Sequence, residues 1–125
     1  MAGENALPIQ ECPDHFQDVT WGGAIAEDVA DGYFYYCERD TIVDAVFAIT
    51  DTADNDVTVD IKKGAGGTSV LTTVATTATV DTIATAVVSP TENFVSAGTT
   101  LHVDVTNVNT ATGVLVQARI RTRVR

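Results

Sequence analysis

The sequence predicts an all-β fold, a jelly-roll-like antiparallel β-sandwich of about eight strands with an extended N-terminal arm. Three observations carry that expectation. Twenty threonines and eighteen valines dominate the 125 residues, and β-branched side chains fit a pleated surface better than a helix. Short apolar segments recur between turn-forming residues at intervals of roughly a dozen residues. The end of the chain, Val114 to Arg125, alternates without a slip: Val114, Val116, Ala118, Ile120, Thr122 and Val124 fall on one face, and Leu115, Gln117, Arg119, Arg121, Arg123 and Arg125 on the other. Period-two patterning of this kind is a strand with one face in a core.

Residues 1 to 18 carry Pro8, Pro13 and scattered acids without a sustained period. They are assigned to the arm, and residues 19 to 125 to the sandwich. A first strand is expected around Val19 to Ala26, softened by Gly22 and Gly23. Gly32 opens Tyr33-Phe34-Tyr35-Tyr36-Cys37, a strand with bulk on both faces. Ile42 to Thr50 is nearly continuous in apolar residues and is expected to be the most buried strand. Asp51 to Asp56 reads as an acidic turn, after which Val57, Val59 and Ile61 alternate with Thr58, Asp60 and Lys62. Gly64-Ala65-Gly66-Gly67 reverses the chain, because glycine takes positive φ at little cost, and Thr68 to Val74 returns as a hairpin partner. Val80, Ile83, Ala84 and Val87 have helical spacing, but threonine density favours two short strands, broken near Thr82 and ended by Pro90. Phe94 to Gly98 leads into Leu101, Val103 and Val105, which alternate with His102, Asp104 and Thr106. Thr110 to Gly113 turns the chain into the arginine strand.

Charge is polarised along the chain. All seventeen carboxylates lie in residues 1 to 118 with Arg39, Lys62 and Lys63 as the cations there, while the last seven residues hold four arginines, within a formal net charge of -10. Such a field repels nucleic acid and anionic lipid, so neither is an expected partner. The start of the sequence has no basic n-region or hydrophobic h-region, and the longest apolar run is Ala45 to Ile49. Neither a secretory signal nor a membrane span is expected.

Alternate side chains on one strand face stand roughly 6.7 Å apart, inside a Debye length of about 8 Å, so the arginines repel one another. Acidic groups on a neighbouring subunit would relieve that repulsion. Arginine, with no lysine in the strand, favours bidentate pairing with carboxylates over simple protection of an exposed edge. Arg119, Arg121 and Arg123, with Tyr33 and Tyr35, are therefore the candidate subunit interface. Pro8, Ile9, Pro13 and Phe16 are the candidate docking residues of the arm.

Chemistry is weakly signalled. Asp51, Asp54, Asn55 and Asp56 offer oxygens to a hard cation but lack the glycine and distal glutamate of an EF-hand loop, and a solvated turn is the simpler reading. Cys12, His15, Cys37 and His102 have no zinc spacing, and His102 falls on the outward register of its strand. Free thiols at Cys12 and Cys37 are preferred to a bridge. Ser69, Ser89 and Ser96 lie in no G-x-S-x-G context. No metal, cofactor or enzymatic activity is expected. Trp21, Tyr33 and Tyr35 could stack on sugars, against the simpler reading that they fill a core or a seam.

The run Val57-x-Val-x-Ile-Lys-Lys63, the glycine turn, Thr79-Val-Asp81 and Val95-Ser-Ala-Gly-Thr-Thr-Leu-x-Val-Asp-Val-Thr-x-Val108, followed by a Thr-Gly turn and the final strand, resembles small jelly-roll modules of tailed-phage virions. The resemblance spans residues 41 to 125. It implies a capsid decoration (cement) protein, synthesised in the host cytoplasm and bound to the capsid surface. The implied partners are the major capsid protein and further copies of itself, as a homotrimer. The alternative it implies is a tail-fibre or baseplate module that binds host glycans.

Overall fold

The computed structural model describes residues 14–25, 27–51, 57–77, 79–108 and 113–123, with the side chains of Asp14 and Arg123 excepted. It is an antiparallel β-sandwich. The chain alternates between two sheets. Strands β1 (Asp14–Gly23) and β3 (Thr41–Thr50) lie in one, and β2 (Val29–Cys37) and β4 (Val57–Lys63) in the other. The last long pair divides likewise, with β11 (Thr99–Thr106) joining β2 and β4, and β12 (Val114–Arg123) joining β1 and β3.

The first sheet runs β1-β12-β3, and its fourth position is shared by β10 (Phe94–Val95) and β8 (Ala84–Thr85), both on β3. The second runs β2-β11-β4, and its fourth position is shared by β5 (Thr68–Ser69) and β7 (Ala75–Thr77), both on β4. Eight strand positions in jelly-roll order result, as the sequence predicts, with the fourth of each sheet split in two. A small extra pair, β6 (Leu71–Thr73) and β9 (Val87–Val88), sits apart from both sheets.

The core follows from the alternation. Val57, Val59 and Ile61 of β4, Leu101, Val103 and Val105 of β11, and Val114, Val116, Ala118 and Ile120 of β12 are all buried. Each valine, leucine or isoleucine among them gains roughly 1.5–3 kcal/mol on leaving water. The glycine turn closes the β4–β5 hairpin with Lys63 opposite Thr68. Gly67 is indispensable there, because a Cβ would meet the Lys63 carbonyl oxygen at 1.9 Å.

Three expectations change, and a fourth, the outward register of His102, holds with an added cover. The first strand begins at Asp14, not Val19, and ends at Gly23, so residues 14–18 continue a ten-residue ladder against β12. β3 is not buried on both faces: Val43, Val46 and Ala48 are buried while Ile42, Asp44, Ala45, Phe47 and Ile49 are only partly covered. Thr68 to Val74 is not one strand, because the chain leaves β4 at Val70 to form β6 before rejoining it as β7. His102 does lie on the outer side of β11, yet it is buried, because the Tyr33 ring packs on it at 5.3 Å between centroids.

Candidate assembly surface

The outer face of the first sheet is assembled from three long strands. β12 contributes Leu115, Gln117, Arg119 and Arg121, and β3 sets Ile49, Phe47, Ala45 and Ile42 directly opposite them. β1 sets Gly22, Thr20, Asp18 and Phe16 on the other side. The register of β3 against β12 slips between Arg119 and Ile120, so that Arg119 faces Ala45 and Ile120 faces Val43. Asp44 is the extra residue of this bulge, and bulges re-aim a side chain. Its carboxylate reaches Arg121, whose Nε lies 2.9 Å from Oδ2 and 3.1 Å from Oδ1. Arg119 Nε donates to Asp18 Oδ1 at 3.3 Å. The Arg121 guanidinium also stands 5.9 Å from the centre of the Phe16 ring.

The acids expected on a neighbouring subunit are supplied, for Arg119 and Arg121, within the chain. Asp18 and Asp44, on the flanking strands, relieve the repulsion within one chain. Both pairs are partly solvated, and such pairs contribute about 0–1 kcal/mol each. The Arg123 side chain lies outside the described residues. At the other end of the same face, Phe47, Ala48, Ile49, Ile83, Leu115 and Gln117 line a shallow apolar groove of about 320 Å³.

The outer face of the second sheet pairs its charges with one another and leaves Tyr33 and Tyr36 exposed beside them. Lys62 Nζ lies 2.8 Å from Asp104 Oδ2 and 3.0 Å from Asp31 Oδ1. Asp31 adopts a left-handed backbone, φ 53°; its amide donates to Asp104 Oδ1 at 2.7 Å, and its own Oδ1 accepts the Gly66 amide at 2.9 Å. The Gly66 amide and Lys62 hold the Asp31 carboxyl below its ordinary value. Asp104, then Asp31, hold the Lys62 ammonium above its own. Asp60 accepts the Ser69 hydroxyl, and Thr58 pairs with Thr106.

The sugar platform expected from Trp21, Tyr33 and Tyr35 is not one surface. Trp21 and Tyr35 pack against the core, whereas Tyr33 stands 80% exposed on the second sheet with Tyr36 exposed near it. Of the docking residues, Phe16 is exposed on β1; Pro8, Ile9 and Pro13 lie outside the described residues. So do Cys12 and, in the acidic turn, Asp54, Asn55 and Asp56. Asp51 Oδ1 accepts the Gly113 amide at 2.9 Å, a turn-closing role. Cys37 is a free thiol, fully buried, and burial pushes its pKa up. Ser89 Oγ accepts the Thr91 and Glu92 amides, a local turn contact. Among the described residues no three His, Cys, Asp or Glu side chains are grouped to hold a metal ion. Nor is any helix there long and apolar enough to cross a membrane.

No family model matches the chain, and no curated protein matches it. Solved structures do. The chain is similar to one from the cyanophage Pam1 capsid asymmetric unit, with a TM-score of 0.57 at 16% identity, covering 91% of this chain and 88% of that one. It is also similar to a chain of the Bacillus endospore appendages, described as disulfide-linked pili, with a TM-score of 0.53 at 16% identity, covering 90% of this chain and 89% of that one. At this identity the likeness establishes a shared β-sandwich fold.

Proposed function

We propose that the protein is a structural subunit of a phage virion, a decoration protein that binds across neighbouring capsid subunits and stabilises the head. The observation that carries this reading is the likeness to a chain of a phage capsid asymmetric unit over nearly the whole domain. Two features agree with it. Ser69, Ser89, Asp31, Asp51 and Asp104 are engaged in turns and cross-strand pairs, as suits a subunit that performs no chemistry. The first sheet also presents a face of mixed apolar and charged character, suited to specific protein contact. Docking at several points would act through effective concentration, so that weak single contacts give slow release. The major capsid protein is the partner in this reading, and the capsid surface the location.

Co-sedimentation of the purified protein with capsids of its source phage tests it. Saturable binding at a fixed ratio to capsid subunits is the expected result. No binding to heads, with recovery on tails instead, would favour the fibre or baseplate reading. That second reading draws on the exposed Tyr33 and Tyr36 and predicts binding to host glycans that is lost in Tyr33→Ala.

A further inference from the structure

The outer face of the first sheet is complementary to itself. Its register places four residues on a level toward each end of the sheet and three, Asp18, Arg119 and Ala45, beside the bulge. At one end, Gly22, Leu115 and Ile49 share a level, and Ile83 comes next, because Ala84 pairs with Ala48. At the other end, Phe16, Arg121, Ile42 and Phe94 share a level, with the bulged Asp44 beside Arg121.

We infer that a second copy of this chain packs face to face on this sheet, about a two-fold axis that runs along the strands between β12 and β3. Such an axis keeps every level and exchanges the columns. β12 of one copy lies over β3 of the other, and β1 lies over the β8/β10 edge. Leu115, 45% exposed, then enters the partner's apolar groove over Ile49. Ile83, 65% exposed, meets the bare backbone of Gly22. Phe16 and Phe94, 67% and 48% exposed, meet each other. Arg121 of each copy comes over Asp44 of the other, extending the pair each chain already makes. This is the signature of an isologous interface, in which residue i contacts j and j contacts i.

Size agrees with the geometry. Three strands about 4.8 Å apart and roughly 33 Å long, with the two-residue β8 and β10 beside them, present ~540 Å² per copy, or ~1,100 Å² in all, just above the ~1,000 Å² that a specific interface should clear. Face-packed sheets keep their strands within about 30° of each other, so the level-by-level match survives their twist. The opposite face offers no such match, since Lys62, Asp31 and Asp104 satisfy one another there. The proposal rests on the reading of the chain as an assembly subunit but needs no capsid.

Native mass spectrometry and light scattering on the full chain test it. Wild type should be a dimer at micromolar concentration, and Leu115→Asp should raise the dissociation constant at least about 30-fold. Tyr33→Ser, on the other sheet, should leave the dimer intact. Arg121→Asp and Asp44→Arg should each weaken self-association about tenfold or more. An equimolar mixture of those two variants should recover a heterodimer, because the two-fold axis sets each new charge against its opposite. A monomeric wild type, a trimer without a dimer, an undisturbed Leu115→Asp dimer or a mixture that fails to recover would each overturn the proposal. A dimer that never binds capsids would overturn the virion reading and leave this one standing; a monomer that decorates capsids would do the reverse.

Discussion

The two outer faces of the sandwich solve the same problem in opposite ways. On the second sheet a lysine sits between two aspartates, one of them in a strained left-handed backbone, and the charges close on one another. On the first sheet the charged pairs are half-solvated and share the surface with four large apolar side chains left in water. A face that satisfies its own charges needs no partner for them, and the aromatic side chains the second sheet leaves exposed, Tyr33 and Tyr36, carry hydroxyls that water can satisfy. A face that leaves Phe16, Ile83, Phe94 and Leu115 exposed has apolar area to cover, and patches of that kind mark interaction sites.

The comparison depends first on strand alternation, and its largest test lies in β12. Val116 is fully buried and Gln117 partly exposed. Val116→Asp should cost roughly 4 kcal/mol or more through an unpaired buried charge. Gln117→Asp should cost far less, and thermal melts of the two variants should separate clearly. Equal losses would mean that both sides of the strand are enclosed.

Lys62→Met should have the next largest effect, because it leaves Asp31 and Asp104 facing each other without a cation. Its melting temperature should fall clearly below wild type at neutral pH, because one partner of a paired charge cluster is removed. A variant as stable as wild type would remove the contrast between the faces.

Titration sharpens the same contrast. Asp31 is held below its ordinary value of 3.8, so its contribution is present above that value and is lost as pH falls through the depressed one. Lys62 is held above its ordinary 10.5, so its contribution persists below that pH and is lost above it. Cys37, raised from 9.0 by burial, stays neutral in the fold while the unfolded chain ionises; stability should decline as pH climbs past 9, and denaturant melts from pH 8 to 10 measure it. Cys37→Ala should flatten that slope.

Arg119→Gln should have the smallest effect, roughly 0.5 kcal/mol. Its pair with Asp18 is half-exposed, and its loss in denaturant melts should shrink further in 1 M salt. A loss as large as that of Lys62→Met would show that the first face is as self-contained as the second.

Much of this arrangement was legible in the residues. The alternation of β4, β11 and β12 and the glycine hairpin at Lys63 and Thr68 follow from patterns within a dozen neighbours. What could not be read depends on distant partners. Asp18 and Asp44 lie 101 and 77 residues from the arginines they pair with. The bulge that aims Asp44 leaves no mark in a run of apolar residues. Asp14 to Asp18 reads as polar coil because its strand sits at a sheet edge, where little is buried and period two is weak. His102 is on the side its period predicts, but Tyr33, from another strand, covers it.

The ladder between β1 and β12 joins the first described strand to the last, which ties the birth of the domain to its completion. During synthesis at about 5–20 residues per second, β1 waits roughly 5–20 s before its hydrogen-bonding partner leaves the ribosome. β3 waits for the same strand on its other side. Neither can form the first sheet locally, and non-local pairing of this kind folds in milliseconds to seconds once the chain is whole. Until then β1 has no strand to pair with and β3 has only the short β8 and β10, so apolar strand surface stays uncovered until the arginine strand arrives.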